Sequence, residues 1–368
     1  MSRAREIADL GSPAASALSN RNLIINGAMQ VAQRGTSTTG VGASNGTYPT
    51  VDRFMIGVSS TAGRLTMTQE AVSDLPGFAK AIKLACTTID TSIDAAEFLQ
   101  LVQKFEGQNL QRLKKGTSSA ESVTVSFYVK GNASATCTLE LQDADNTRYN
   151  SQEFSVTTSW NRVSLTFVGD TSGVLDDDNA RSLDCKVWLH AGSNYTGGTH
   201  TDNVWHTTTN QRVGDSQTSF FDSTDRTFFI TGWQMEIGET ATPFEHRTFG
   251  DDLAACQRYF QKSYDYGTTI GTNTTVSAMF HRNPEAVSNR TPNITFPVEM
   301  RAATTTVVYS IPGTANAASN CSTGFSHSSN ITSTNFSGTD GTHGLSRLGL
   351  GSGVDDIIGF HYTAEAEL

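Results

Sequence analysis

The chain has 368 residues, 37% of them hydrophobic, and its 26 lysines and arginines against 36 aspartates and glutamates leave a formal net charge of −10. That length exceeds the roughly 250 residues at which a single core stops growing, so two domains are expected. With no basic cluster beyond Lys114 and Lys115, nucleic acid is excluded as a partner because it demands a positive footprint; membrane insertion is excluded because no apolar run approaches the roughly 20 residues that cross a bilayer.

The first residues, MSRAREIADLGS, lack the apolar centre of a secretion signal. Ala4, Ile7, Ala8 and Leu10 fall at helical spacing before Gly11 and Pro13, which predicts a two-turn helix over residues 2–10. So short a helix needs a partner, or the segment is a disordered tail. Leu23-Ile24-Ile25 followed by Asn26-Gly27 suggests a first strand and a turn, and residues 36–47 read as a polar surface loop.

Short apolar-alternating runs then recur about every ten residues, the rhythm of a β-sandwich. They cover residues 53–58, 64–70, 78–87, 98–105, 122–131, 135–143, 162–168 and 184–191, with one helical piece at 106–115. The central stretch is residues 228–249, FFITGWQMEIGETATPFEHRTF. Its alternation places Phe229, Thr231, Trp233, Met235 and Ile237 on one side, and Phe228, Ile230, Gly232, Gln234 and Glu236 on the other. With both faces apolar at its start, it is expected mid-sheet as the closing strand of a large β domain. Pro243 forbids further central pairing.

Beyond it, Thr248 and Asp251 signal a helix start, and Leu253, Cys256 and Phe260 share a helical face. A short helix over 249–258 therefore divides the domains. Six short strand-like runs follow: 259–266, 276–280, 291–296, 304–311, 328–333 and 357–362; 313–322 and 337–353 read as loops. The expected organisation is a segment at 1–19, a jelly-roll β-sandwich at 20–248 and a smaller β domain at 249–368. This last part carries little apolar material, which contacts in an oligomer could supply.

Parity also separates core from surface. Val123, Val125, Phe127 and Val129 point inward, as do Cys137, Leu139 and Leu141, and Cys185, Val187 and Leu189. The other face is then expected to present Tyr128, Lys130, Glu140, Gln142, Trp188 and His190 together, provided these strands are neighbours. The long polar segment 193–225 adds Tyr195 and Trp205; its Val204-Trp205 either lines a site or forms another strand packed on the sandwich.

Catalytic signatures are missing. The eight histidines are dispersed without metal-ligand spacing, and no nucleophile elbow, P-loop or dinucleotide fingerprint occurs. No catalytic residue, metal or other cofactor is expected. The Asp176-Asp177-Asp178 run lacks the interleaving of a calcium loop and reads better as a solvated turn. A carboxylate pair such as Glu140 with Glu236 would have to be judged by its separation. Cys86, Cys137, Cys185, Cys256 and Cys321 are odd in number and without CxxC spacing, so buried thiols and synthesis in a reducing cytoplasm are expected, without disulfides.

Sugars offer apolar C–H faces to aromatic rings and hydroxyl rims to polar side chains. Tyr128, Trp188, Tyr195 and Trp205 with Glu140, Gln142 and His190 have that mixture and form the candidate glycan site. Alternatively, a neighbouring subunit or the long loop covers these aromatics.

Five stretches together resemble phage tail fibre and receptor-binding proteins with a jelly-roll domain similar to carbohydrate-binding modules. They are NRNLIINGAMQVAQRGTS from residue 20, YPTVDRF from 48, FEGQNLQRLKKGTSSAESVTVSFYVKG from 105, FFITGWQMEIGETATPFEHRTFGDDLAACQRYFQKS from 228, and the terminal AEAEL. SRAREIADLG resembles the leader that precedes such domains. The resemblance covers most of residues 2–264 and is slight over 265–368, apart from FPVEMRAA at 296 and the last residues. It implies a homotrimer in the virion tail, docked onto other tail proteins through its N-terminus, with Arg3, Arg5, Ile7 and Leu10 as candidate contacts. It further implies non-enzymatic recognition of bacterial surface polysaccharide or lipopolysaccharide. A structural adaptor of the tail and a glycan depolymerase are the alternatives.

Overall fold

The computed structural model describes residues 20–282, 294–321, 329–332, 339–340, 344–346 and 357–368. The N-terminal segment, with the expected helix and Arg3, Arg5, Ile7 and Leu10, lies outside them. The protein is all-β and divides into two compact units: Met1–Gln30, Ser37–Pro49 and Phe54–Thr248 form one, and Val31–Thr36, Thr50–Arg53 and Phe249–Leu368 the other.

The first unit is a jelly-roll-type β-sandwich of eleven strands: β1 (Ser37–Val41), β2 (Met55–Ser59), β3 (Arg64–Ala71), β4 (Lys80–Thr88), β5 (Phe98–Glu106), β6 (Val123–Gly131), β7 (Ala135–Asp143), β8 (Arg148–Val156), β9 (Asn161–Phe167), β10 (Arg181–Ala191) and β11 (Thr227–Ile237). One sheet has the order β1-β3-β4-β11-β6-β9 and the other β2-β5-β10-β7-β8. The predicted inward residues do form the core. Val125, Phe127, Val129, Leu139, Cys185 and Val187 are fully buried, and Trp233 stacks on Phe54 with ring centroids 5.6 Å apart. Each such apolar side chain contributes about 1.5–3 kcal/mol by leaving water.

β11 lies mid-sheet between β4 and β6, as its two apolar faces require. Its alternation changes phase part-way. Phe228 and Ile230 pair opposite Gly131 and Val129 of β6, whereas Met235 and Ile237 pair opposite Val125 and Val123, with a register shift between Thr231 and Gln234. All four therefore share the core face, and the two-sided split expected for this strand does not hold along its whole length. Gly232, at φ +61°, is the residue that permits the shift. A Cβ there would lie 2.7 Å from the Phe78 ring and 2.9 Å from Tyr128.

Other departures have local causes. Leu23–Ile25 is not a strand because side chains satisfy its backbone: the Asn22 carboxamide oxygen accepts from Ile24 N at 3.0 Å, and Gln103 bonds both Ile25 N and Ile25 O, at 2.7 and 2.9 Å. β1 falls within the segment read as a loop, and β8, rich in polar residues, is an edge strand that alternation did not reveal. The helical piece at 106–115 is two 3₁₀ turns, Gly107–Asn109 and Gln111–Leu113.

The second unit contains the expected helix, although residues 193–225 contribute a short one first: α1 (Ser193–Thr196) belongs to the sandwich unit and α2 (Phe249–Gln257) to this one. Its strands are β12 (Phe260–Lys262), β13 (Met279–Arg282), β14 (Ile294–Thr295), β15 (Thr305–Ser310), β16 (Ala317–Asn320), β17 (Ser329–Thr332), β18 (Thr339–Asp340), β19 (Gly344–Ser346) and β20 (Ile357–Glu365). β20 is the hub, pairing with β12, β13, β15 and β16, while β14, β19 and β18 form a separate small sheet. Its core gathers Phe296, Met300, Val308, Ile358, Phe360 and Tyr362. An ionic cluster sits beside it: Glu367 pairs with Arg34 at 3.1 Å and with Arg53, whose guanidinium lies 3.4 Å over the Tyr259 ring. All five cysteines are buried free thiols.

Candidate functional site

The five-stranded sheet carries its most distinctive chemistry on the face turned away from the core. Register sets the rows: Asp184, Lys186 and Trp188 of β10 lie opposite Lys104, Val102 and Gln100 of β5 on one side, and opposite Gln142, Glu140 and Thr138 of β7 on the other. Cross-strand partners share a face, so these residues form one surface. β2 extends it with Met55 and Gly57, whose missing side chain leaves room above Gln100.

This surface floors a groove of about 270 Å³, just below the roughly 300–1,000 Å³ of typical ligand pockets. Three rings meet there. Trp188 and Tyr195 have centroids 5.0 Å apart, and Phe98 stands edge-on to Tyr195 at 5.7 Å and to Trp188 at 6.0 Å. Tyr195 comes from α1 and is half-buried, as is Phe98; Trp188 is fully buried. The Trp188 indole N–H is buried and meets no acceptor. The segment 193–225 thus covers part of the sheet face: Gln217 Nε2 donates to Trp188 O at 3.1 Å, and Arg212 lies 5.0 Å over the Trp188 ring and 4.1 Å over that of Tyr149.

A ladder of charges runs along the groove. Arg212 donates Nε and Nη2 to the two Glu140 oxygens at 2.9 and 2.7 Å, and Nη2 to Gln142 Oε1 at 3.0 Å. Lys186 bonds Gln142, lies 3.6 Å from Glu140 and pairs with Asp184 at 3.0 Å. Arg181 Nε donates to Asp184 at 2.7 Å. Burial pushes both carboxyls upward, but the neighbouring cations outweigh it. Arg212 and then Lys186 leave Glu140 below its ordinary value, and Lys186 and Arg181 do the same for Asp184.

Of the residues expected at a glycan site, the structure brings Gln142, Trp188 and Tyr195 to the groove wall, with Glu140 directly beneath. It separates the other three. Tyr128 belongs to β6 in the opposite sheet, where it packs against Phe78 at 5.2 Å; β6 and β7 are consecutive in sequence but not neighbours in a sheet. His190 follows a register shift after Trp188 that sets it opposite the core residue Leu99. There it is fully buried, 2.8 Å from Ser219 Oγ and 3.1 Å from Glu97 Oε2. Trp205 is not in a strand. Its indole donates to Val168 O at 2.7 Å, near Lys115, and it does not line the groove. The expectation that Glu140, Trp188 and His190 stand outside the core as an open surface is corrected too: all three are fully buried.

Phe98, Gln100, Lys104, Lys186, Arg181 and Arg212 are groove residues that the candidate set lacked. The parity that yielded Trp188 also places Phe98, Gln100 and Lys104 on one face of β5, whereas nothing in the polar run around Arg212 marks it. A second depression, of about 350 Å³, is lined by Leu110, Gln111, Lys114, Lys115, Thr117, Val174 and Leu175 and offers no aromatic ring. Glu140 and Glu236 stand on different sheets and do not face each other. Asp176–Asp178 form an exposed turn in which Asp178 accepts from Ala180 N.

No protein-family model and no curated protein matches the chain. Among solved structures, residues amounting to 60% of the chain align with all of TmCBM61, solved with β-1,4-galactotriose, at 12% identity and a TM-score of 0.30. A family 11 carbohydrate-binding module of a Clostridium thermocellum cellulosomal cellulase aligns over 56% of this chain and 98% of its own, at 11% identity and 0.27. The enzymatically active domain of tailspike protein 4 of bacteriophage CBA120 aligns over 59% of this chain but 22% of its own, at 9% identity and 0.31.

Proposed function

We propose that the sandwich unit binds bacterial surface polysaccharide or lipopolysaccharide in the groove of its five-stranded sheet, and that the protein is the non-enzymatic, homotrimeric receptor-binding fibre of a phage tail. The observation that carries the glycan reading is the grouping of Phe98, Trp188 and Tyr195 rings beside amide and charged side chains in one groove. Aromatic rings suit the C–H faces of sugars, and the amides and charges suit their hydroxyls. Binding without cleavage is supported by the state of the carboxylates. Sugar hydrolysis needs one carboxylic acid with a raised pKa, whereas Asp184 and Glu140 are both ion-paired and shifted downward.

The tail-fibre part rests on the sequence resemblance over residues 2–264, with the N-terminal segment docking onto the tail and the protein assembling into virions after synthesis in the host cytoplasm. Three copies would convert weak single sites into firm attachment, by about 10²–10⁴-fold where geometry allows. The test is retention of the full-length protein on an array of bacterial surface polysaccharides and lipopolysaccharides, with its mass measured by light scattering. Trimers that bind at least one glycan, and lose that binding at least about tenfold, or ~1.4 kcal/mol, on Tyr195→Ala, are expected. Tyr195 is the better probe than the fully buried Trp188, whose truncation would open a cavity. Retention on none of the glycans would overturn the glycan reading, and monomers would overturn the fibre.

A further inference from the structure

Several polar side chains that line the groove are already committed to one another. Gln142 Oε1 accepts from Lys186 and Arg212, Asn45 Oδ1 accepts from Val58 N at 3.0 Å, and Asp184 pairs with Arg181 and Lys186. Gln100 differs. It lines the groove at only 7% exposure, yet its carboxamide makes no hydrogen bond to any described residue. A carboxamide so nearly buried is costly to leave unpaired, and such groups normally find a partner in protein, water or ligand. Gly57 marks the same spot. It lies inside β2, directly opposite Gln100 in a ladder without a register shift, and its φ is not positive. The first atom a Cβ there would meet is Gln100 Oε1, at 3.4 Å, which is ordinary contact. Neither backbone conformation nor a bulge calls for this glycine. What it does is leave Gln100 Oε1 uncovered, and a glycine inside a regular strand is a mark of close approach by another molecule.

Resting on the glycan reading above, we infer that Gln100 sets the specificity of the groove by holding two adjacent hydroxyls of one sugar unit, so that the ligand is a glycan whose stacked sugar keeps a free vicinal diol. A carboxamide presents an acceptor and a donor side by side. Two hydroxyls on neighbouring ring carbons are the complement, one donating to Oε1 while the other accepts from Nε2. A lone hydroxyl would pair with one of these atoms and leave the other without a partner. The rings needed for stacking stand at the right place. Phe98 precedes Gln100 by two residues on the same face of β5, which sets the two about 6.6–6.8 Å apart along the strand. A sugar stacked against Phe98 and Tyr195 therefore brings the hydroxyls of its edge over Gln100. A linkage, an N-acetyl or an O-acyl group in place of either hydroxyl would strand part of the carboxamide, and that penalty is how a site built on hydrogen bonds rejects near-analogues. Stacking alone makes no such distinction.

The experiment prints the array of bacterial polysaccharides and lipopolysaccharides in pairs, each glycan beside an aliquot treated with periodate and then borohydride, which cleaves the carbon–carbon bond of a vicinal diol and leaves other sugars intact. The full-length protein is expected to bind the treated member of each retained pair at least about tenfold more weakly than the native one. Gln100→Leu, of similar size and beside the apolar Met55 and Val102, is expected to bind the native glycans at least about tenfold more weakly than wild type. Because that replacement removes no hydrogen bond within the described protein, its Tm, followed by tryptophan fluorescence, is expected to stay within about 3 °C of wild type. A smaller loss in either binding comparison would overturn the assignment to Gln100 while upholding the glycan reading. A larger fall in Tm would do the same, since it would show that Gln100 serves the fold. Retention on no glycan at all would overturn both.

Discussion

Arg212 joins stability to function, and its replacement by methionine tests both. The guanidinium makes two charge-assisted bonds to Glu140, whose side chain is fully buried, and one to Gln142. Removing one member of a buried ion pair costs about 3–5 kcal/mol, because the remaining charge is left desolvated. Lys186 stays 3.6 Å from Glu140 but is shared with Asp184, which places the loss near 3 kcal/mol, and the forfeited stacking on Tyr149 and Trp188 adds about 0.5–1 kcal/mol. At roughly 2–4 °C per kcal/mol for a unit of this size, Arg212→Met should lower Tm by about 7–16 °C. All four tryptophans, Trp160, Trp188, Trp205 and Trp233, lie in the sandwich unit, so tryptophan fluorescence follows that unit alone. The pH dependence has a definite sign. The folded pKa of Glu140 is depressed, so the pair's contribution is fully present above the ordinary carboxyl value of 4.5 and is lost as pH falls through the lower folded value. The gap between wild type and variant should therefore be widest near neutrality and close in acid. Adding Glu140→Gln should recover much of the loss, since both charges are then gone. A variant melting within about 2 °C of wild type at pH 7, or a double variant no more stable than Arg212→Met alone, would refute the account.

Three further outcomes are expected. Lys115 holds a buried ammonium against Asp143, Asp170 at 3.1 Å and the carbonyls of Ser172 and Gly173 at 2.9 and 2.8 Å. Lys115→Met should cost about 3–5 kcal/mol in urea denaturation followed by tryptophan fluorescence, and a loss under about 1 kcal/mol would show the pair to be dispensable. Gly232→Ala should cost at least about 1–3 kcal/mol by the same assay, from its positive φ and from the Phe78 and Tyr128 rings that the new methyl meets; a neutral effect would mean the bulge can relax. In the second unit, Glu367→Gln removes the charge shared by Arg34 and Arg53 and should speed amide exchange across β20, whereas unchanged exchange would show that these guanidiniums are held by other groups.

The fold was legible where burial enforces a period of two. β6, β7 and β10 have one face in a dry core, so Val125, Leu139 and Val187 had to alternate with polar residues, and the sequence displays it. Legibility failed wherever the chain satisfies itself by other means. β8 is an edge strand with polar residues on both sides, and Leu23–Ile25, apolar enough for a strand, is tied down by the Asn22 and Gln103 carboxamides instead. The shift within β11 did leave a trace. A glycine in mid-strand, with no side chain to pack, is the residue at which a register change costs least, and Gly232 could have been read that way.

The site was half legible for a related reason. Parity assigns a residue to a face of its own strand, and it correctly grouped Gln142 with Trp188 because β7 and β10 pair directly. It carries no information about which sheet a strand joins, so Tyr128, on β6 in the other sheet, passed the same test. Nor does it survive a bulge, which is why His190 turned inward to Glu97 and Ser219 although it alternates with Trp188 on paper. The residue that ties the groove together, Arg212, comes from a segment with no period at all. Its position depends on Glu140, a charge the sandwich face cannot bury without a partner, and that dependence is a tertiary fact. The rule that emerges is chemical rather than periodic: a carboxylate predicted on a covered strand face, such as Glu140, implies a cation from whichever long loop crosses that face. In 193–225 that cation could only be Arg212, since the segment contains no other lysine or arginine.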